Sequence, residues 1–238
     1  MYRVRIDKET IRNHFHYDKW KYVLGIVLTI FSWSMLATVT KPQTPPDKKV
    51  DIYLVGGYMA EDAAKEYGDT VCMDFPGLRE VNLFNIGIEG DMEYAGRQKL
   101  MVMLGSQSGD IYSFPKDEFK DMAKGGAFLP LDDYTDLTKR FTKEQLAEYT
   151  FSTEDDKTPG IYGVPASDIQ SLGKSVFDTR DSVLAVTAYS KNSKKAVKVL
   201  EWMEDHKTEE QYQQRRKELL EEKEQQKQQK EQQKKKDR

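Results

Sequence analysis

Residues 109–134, GDIYSFPKDEFKDMAKGGAFLPLDDY, leave the chain few ways to fold. A short β-type run, Asp110–Phe114, breaks at Pro115. Phe119, Met122 and Ala123 then recur at i, i+3 and i+4, which puts three apolar side chains on one helix face. Gly125-Gly126 stops that helix, because glycine takes the left-handed C′ conformation without a Cβ penalty. The following GAFLPLDDY packs apolar residues into a turn closed by acids. Strand, helix, glycine stop and buried turn predict an α/β layer.

The flanking sequence repeats that order. Val50–Val55 reads as a strand ended by Gly56-Gly57, with a helix over 59–67. This segment lacks the spaced glycines of a dinucleotide site and the Gly-Lys-Ser/Thr of a phosphate loop, so it reads as a plain strand-to-helix turn. Glu80–Ile88 alternates as a second strand, and a helix capped near Asp91 runs through Tyr94, Met101 and Leu104 to Gly105. Asp110–Phe114 is the third strand. The order β-α-β-α-β implies right-handed crossovers and a mostly parallel sheet. Methionine at helical spacing reads as core filler at Met101–Leu104; a soft binding surface is the other reading. Farther on, Thr142–Tyr149 can open with a capping box. Ile161–Pro165 and Ser182–Tyr189 are strand candidates. Ala196, Val199, Leu200 and Met203 mark one face of a late helix.

The two ends are different in kind. Tyr22–Thr40 has no charge, and its length approaches the ~30 Å hydrocarbon core of a bilayer. No A-x-A-like pair of small residues closes it, so it reads as an uncleaved signal anchor. Six Lys/Arg precede it, which predicts a cytoplasmic N-terminal segment (1–21) and an extracellular remainder. Residues 41–49, with three prolines, read as a stiff spacer. That leaves 50–206 as the domain. Residues 207–238 read as a solvated Lys/Glu/Gln tail outside its core, because Tyr212, Leu219 and Leu220 are too few to sustain heptads.

Charge and residue usage exclude several functions. The ends carry +3 each and the whole chain −3, so 22–206 carries −9. An acidic body argues against nucleic acid, whose phosphates need a basic face. The lone Cys72 excludes a disulfide scaffold. His14 and His16 lack the further ligands of a metal site, and Glu154-Asp155-Asp156 lacks the spacing of a calcium loop. No spacing pairs a nucleophile or acid with a base, so neither an enzyme nor a cofactor is expected.

Four segments carry a resemblance: RQKLMVMLGSQSGDIYSF (97–114), KGGAFLPLDDY (124–134), GIYGVPAS (160–167) and AYSKNSKKAVKVLEWM (188–203). Together they resemble the extracellular solute-binding proteins of ABC importers, most nearly the sugar-binding kind. The resemblance implies a single periplasmic-binding-protein-like α/β lobe with a mostly parallel sheet; the one transmembrane helix read before it, in place of a lipid anchor, departs from that family. The family continues after Tyr-Gly-Val-Pro with a second lobe; here only Asp168–Arg180 intervenes before the next strand. The implied partners are the membrane, an ABC permease or a full-length binding protein, and a sugar ligand. A surface scaffold unrelated to transport is the alternative. Open α/β sheets bind ligands at the C-terminal ends of their parallel strands. That rule points to Gly56, Gly57, Tyr58, Glu89 and Phe114, with Tyr112 and Tyr162 as rings that could stack on a sugar.

Overall fold

The structure is a computed structural model that describes residues 8–40, 44–153, 157–173 and 176–236. The chain divides into two compact units, Met1–Gln43 and Thr44–Arg238. The first contains one helix, α1 (Lys8–Thr40). Within it Lys19–Thr38 is long and apolar enough to cross a membrane. The helix starts well before the apolar run, at Lys8. His14 and His16 fall on α1, where their side chains are outside the described residues, as is the acidic loop 154–156.

The second unit is a mixed α/β lobe. In chain order it contains β1 (Lys49–Gly56), α2 (Glu61–Asp74), β2 (Glu80–Gly87), α3 (Glu93–Gly105), β3 (Ile111–Pro115) and α4 (Lys116–Lys124). Two short helices follow, α5 (Thr135–Thr138) and α6 (Lys143–Ala147), and then three two-residue strands, β4 (Thr150–Phe151), β5 (Gly160–Ile161) and β6 (Val164–Pro165). The chain ends with α7 (Gln170–Gly173), β7 (Ser182–Val186), α8 (Ser193–Asp205) and α9 (Glu209–Lys236). The main sheet has the order β2-β1-β3-β7-β6. β1 pairs in parallel with β2 and β3, while β7 is antiparallel to β3 and β6. Four strands therefore run one way and β7 runs the other. β4 and β5 form a separate antiparallel pair.

The alternation of side chains along each strand sorts the core into two layers. Val50, Ile52 and Leu54 join Ile111, Leu184 and Val186 on one face, beneath α2 and α8. Tyr53, Val55, Tyr112, Phe114 and Val183 face the other way. There Tyr53, Tyr112 and Phe114 stack with centroids 5.0 and 5.5 Å apart, and Phe128 and Phe119 extend the row. The 109–134 run behaves as its sequence predicts. Gly126 takes φ 74°, Phe128 and Leu131 are buried, and Leu129 N donates to Val186 O. Thr142 and Gln145 form the expected capping box.

The outer edge of the sheet is closed. Ile88 N donates to Gly56 O, so the carbonyls of residues 81, 83, 85 and 87 in β2 point away from β1. A Cβ on Gly68 of α2 would lie 2.2 Å from Val81 O, and one on Gly96 of α3 would lie 1.7 Å from Gly87 O. Only glycine permits such approaches. Lys99 Nζ donates to Asn85 O at 2.8 Å. Three of the four outward carbonyls are thus covered.

Three expectations change. First, the spacer does not stay free of the domain after Thr44. Pro46–Lys48 makes a helical turn, and Asn192 Nδ2 donates to Pro46 O and, at 2.9 Å, to Lys49 O. Second, the boundary at 207 falls inside a packed region. Tyr212 and Leu219 are buried one heptad apart on α9, Tyr212 stacks on Tyr67 at 5.1 Å, and Arg215 pairs with Asp74 at 2.6 Å. A single stripe suffices to dock two turns, although it could not support a coiled coil. Third, Met101 and Val102 are not core filler. They are 73% and 63% exposed, because Gly96 and Leu100 define the buried side of α3.

Candidate functional site

The C-terminal ends of β1, β2 and β3 gather around an open groove of about 620 Å³. Gly56-Gly57-Tyr58 leaves β1 at its floor, Glu89 arrives just beyond β2, and Pro115 ends β3. Because β7 is antiparallel, its N-terminal end lies at this same end of the sheet. The segment before it, Phe177–Ser182, forms the opposite wall.

Local geometry explains the glycines. Gly56 has φ 150°, and a Cβ there would lie 2.9 Å from Phe177 Cζ. Its absence lets the Phe177 ring close on the strand end, where Met59 bridges to Phe177 and Ala60 N donates to Val176 O. A Cβ on Gly57 would lie 3.1 Å from Glu89 Oε2, so that carboxylate rests over bare backbone. Tyr58 projects its ring outward and is 82% exposed. Arg180 is turned onto Asp178 at 2.6 Å. Its hydrogen bonds hold the Asp178 carboxyl below the usual carboxylate range. Among the described residues Glu89 forms no ion pair. The groove thus offers an exposed aromatic ring beside an unpaired carboxylate, with a self-neutralised Arg–Asp pair across from them. A ring face and a carboxylate suit a polyol, which presents C–H faces for stacking and hydroxyls to donate.

Of the seven residues singled out from the sequence, Gly56, Gly57, Tyr58 and Glu89 come together here. Tyr112, Phe114 and Tyr162 do not. Tyr112 and Phe114 are fully buried in the aromatic row, because positions 112 and 114 point to a sheet face rather than off the strand end. Tyr112 Oη donates to Ser108 O at 2.8 Å, and burial pushes its hydroxyl pKa far upward. Tyr162 is buried beside β4, its N–H given to Tyr149 O. Neither tyrosine can present its ring to a sugar. Phe177, Asp178, Arg180 and Asp181 were missed. Their signal was the charged run FDTRD just before a strand, and its meaning depended on β7 running antiparallel.

At the other end of the sheet, Asp110 accepts from Ser190 Oγ at 2.6 Å and from Asp51 N at 3.0 Å. Burial raises its pKa. This network ties β1 and β3 to the start of α8. Cys72 is half-buried, and burial raises its thiol pKa, so it is no ready nucleophile. Among the described residues no group of three or more His, Cys, Asp or Glu is placed to hold a metal ion.

Comparison with known proteins finds partial structural similarity at low sequence identity. No protein-family model matches the chain, and neither does any curated protein sequence. Among solved structures it is similar to an extracellular solute-binding protein of family 1 from Alicyclobacillus acidocaldarius, with 17% identity and a TM-score of 0.39 over 52% of this chain and 29% of that one. It is also similar to an ABC-transporter-associated binding protein from B. animalis subsp. lactis in complex with β-1,6-galactobiose, with 18% identity and a TM-score of 0.35 over 50% and 26%. A de novo designed cysteine esterase aligns at 12% identity and a TM-score of 0.33 over 50% and 28%. The chain spans under a third of the length of each.

Proposed function

We propose that this chain is a membrane-tethered, extracellular carbohydrate-binding module of the solute-binding-protein kind. It works beside an ABC importer, by weak ligand binding or by contact with transporter components. The observation that carries this reading is the groove, where exposed Tyr58 stands beside unpaired Glu89 at the ends of parallel strands. The sequence resemblance supports the family and the partner. A groove this open leaves water competing for each contact, so we expect affinity weaker than ~100 μM. The disaccharide named for one of the similar structures supplies the first ligand to try. Calorimetry of the full chain in a sugar-free detergent tests this against mono- and disaccharides. Heat that vanishes in Tyr58→Ala supports the reading. Binding at micromolar or tighter, or binding indifferent to Tyr58, contradicts it.

The tether is α1, with the N-terminus inside and the domain outside, supported by the apolar stretch and the basic residues before it. Protease added to intact cells should remove the domain and leave an N-terminal tag. A protected domain would reverse the topology.

A second reading, a surface module that binds protein, is favoured by the outward face of α3. No heat with any sugar, together with a protein partner lost on mutating that face, would select it.

A further inference from the structure

α3 is apolar on its outward as well as its inward side, which is unusual for a helix bordered by solvent. Its inward side rests on β2 through Gly96 and Leu100. Its outward side carries Tyr94, Gln98, Met101, Val102 and Gly105, at i, i+4, i+7, i+8 and i+11. Tyr94 is 76% exposed, and neither Met101 nor Val102 is covered. No charge interrupts this stripe. The charged residues of α3 lie beside it and are engaged with their own domain. Arg97 pairs with Glu93 at 3.1 Å and Glu118 at 3.0 Å, and Lys99 is spent on Asn85 O.

We propose that this face pairs two copies of the chain, α3 against α3 and antiparallel about a two-fold axis. Three observations select a second copy. The stripe is self-complementary. With Gln98 opposite the partner's Met101, Tyr94 falls over the partner's Gly105, and nothing lies within 4 Å of where a Cβ on Gly105 would sit. A large ring then meets an open slot twice, as an isologous contact requires. The body of the chain carries −9, so two copies repel over most of their surfaces and approach best across a face without charge. Pairing through the β2 edge of the sheet is hindered, because Gly68, Gly96 and Lys99 cover three of its four outward carbonyls. A bilayer fits worse. Helices that lie on lipid are flanked by free basic residues, and here Asp91 and Glu93 border the stripe while Arg97 and Lys99 are engaged. One helix pair buries less than the roughly 800 Å² per partner of a standard interface, so a weak, transient dimer is expected.

The test uses the full chain in mild detergent with Cys72→Ser and Gln98→Cys. A bismaleimide spanning roughly 8–10 Å, the separation of packed helix axes, should give a covalent dimer. Lys65→Cys on α2 in the same background should not. Met101→Glu with Val102→Glu should abolish the crosslink and raise the dissociation constant at least about tenfold, with the melting temperature unchanged. Tyr94→Ala, which adds no charge, should weaken pairing in the same direction. A monomer at about 100 μM overturns the proposal. So does a dimer indifferent to these substitutions, because α1 or another face would then hold it. Loss of binding to phosphatidylglycerol vesicles in Met101→Glu, without any copy-to-copy crosslink, assigns the face to lipid and overturns it as well.

Discussion

α2 and α3 do the same mechanical job with opposite outer surfaces. Each leans a glycine onto an outward carbonyl of β2, Gly68 on Val81 and Gly96 on Gly87. Beyond that contact they part. α2 shows Glu61, Asp62, Lys65, Glu66 and Asp69 to solvent, while α9 covers its flank through Tyr212 and Arg215. α3 shows Tyr94, Met101 and Val102 and has no neighbour over them. The inner face of a helix is set by the sheet it closes. The outer face is free to vary, and it is where this molecule distinguishes one side of the lobe from the other.

The strongest way to break the comparison is to attack what the two helices share. Gly96→Ala should cost about 3 kcal/mol or more in chemical denaturation, because backbone rather than a flexible side chain occupies the Cβ position. Gly68→Ala should cost nearly as much. Mild effects would mean that the helices do not rest on β2. Next comes the cover that α2 alone possesses. Tyr212→Ala should cost about 3 kcal/mol through the lost stack on Tyr67. If unfolding is unchanged, α9 is a bystander.

A smaller effect depends on pH. Hydrogen bonds from Arg215, and then from Trp202, hold the Asp74 carboxyl below its ordinary value against the opposing effect of burial. A lowered carboxylate pKa stabilises the fold fully above the unfolded value, and that contribution is lost as pH falls through the folded one. Amide protection factors over 210–220, taken relative to intrinsic exchange at each pH, should therefore fall in that acid window, and Asp74→Asn should flatten the dependence. The smallest effect separates the outer faces. Met101→Glu should shift stability by less than about 0.5 kcal/mol, as exposed positions do. A large loss would show that α3 packs against something within its own lobe.

How much of this was legible in sequence follows from what fixes each feature. The strands, the Gly126 stop and the buried Phe128–Leu131 turn rest on local period and glycine chemistry, so they could be read directly. That Gly57, Tyr58 and Glu89 would share one groove could be read because each follows the end of a parallel strand. Tyr112 and Tyr162 were misassigned because residue type says an aromatic can stack, and only strand facing says that its ring is already stacked. Asp178 and Arg180 needed the direction of β7, which a sequence does not print. The docking of α9 depended on two apolar side chains that were individually too few to signal packing, and on an ion pair spanning 141 positions.

The groove is tested most directly by NMR titration of the full chain with a β-linked galactobiose. Signals of Gly57, Tyr58, Glu89 and Phe177 should move together in fast exchange, while Tyr112 and Tyr162 stay still. Shifts centred on Tyr112 or Tyr162, or none at the Tyr58 end at millimolar sugar, would contradict the account.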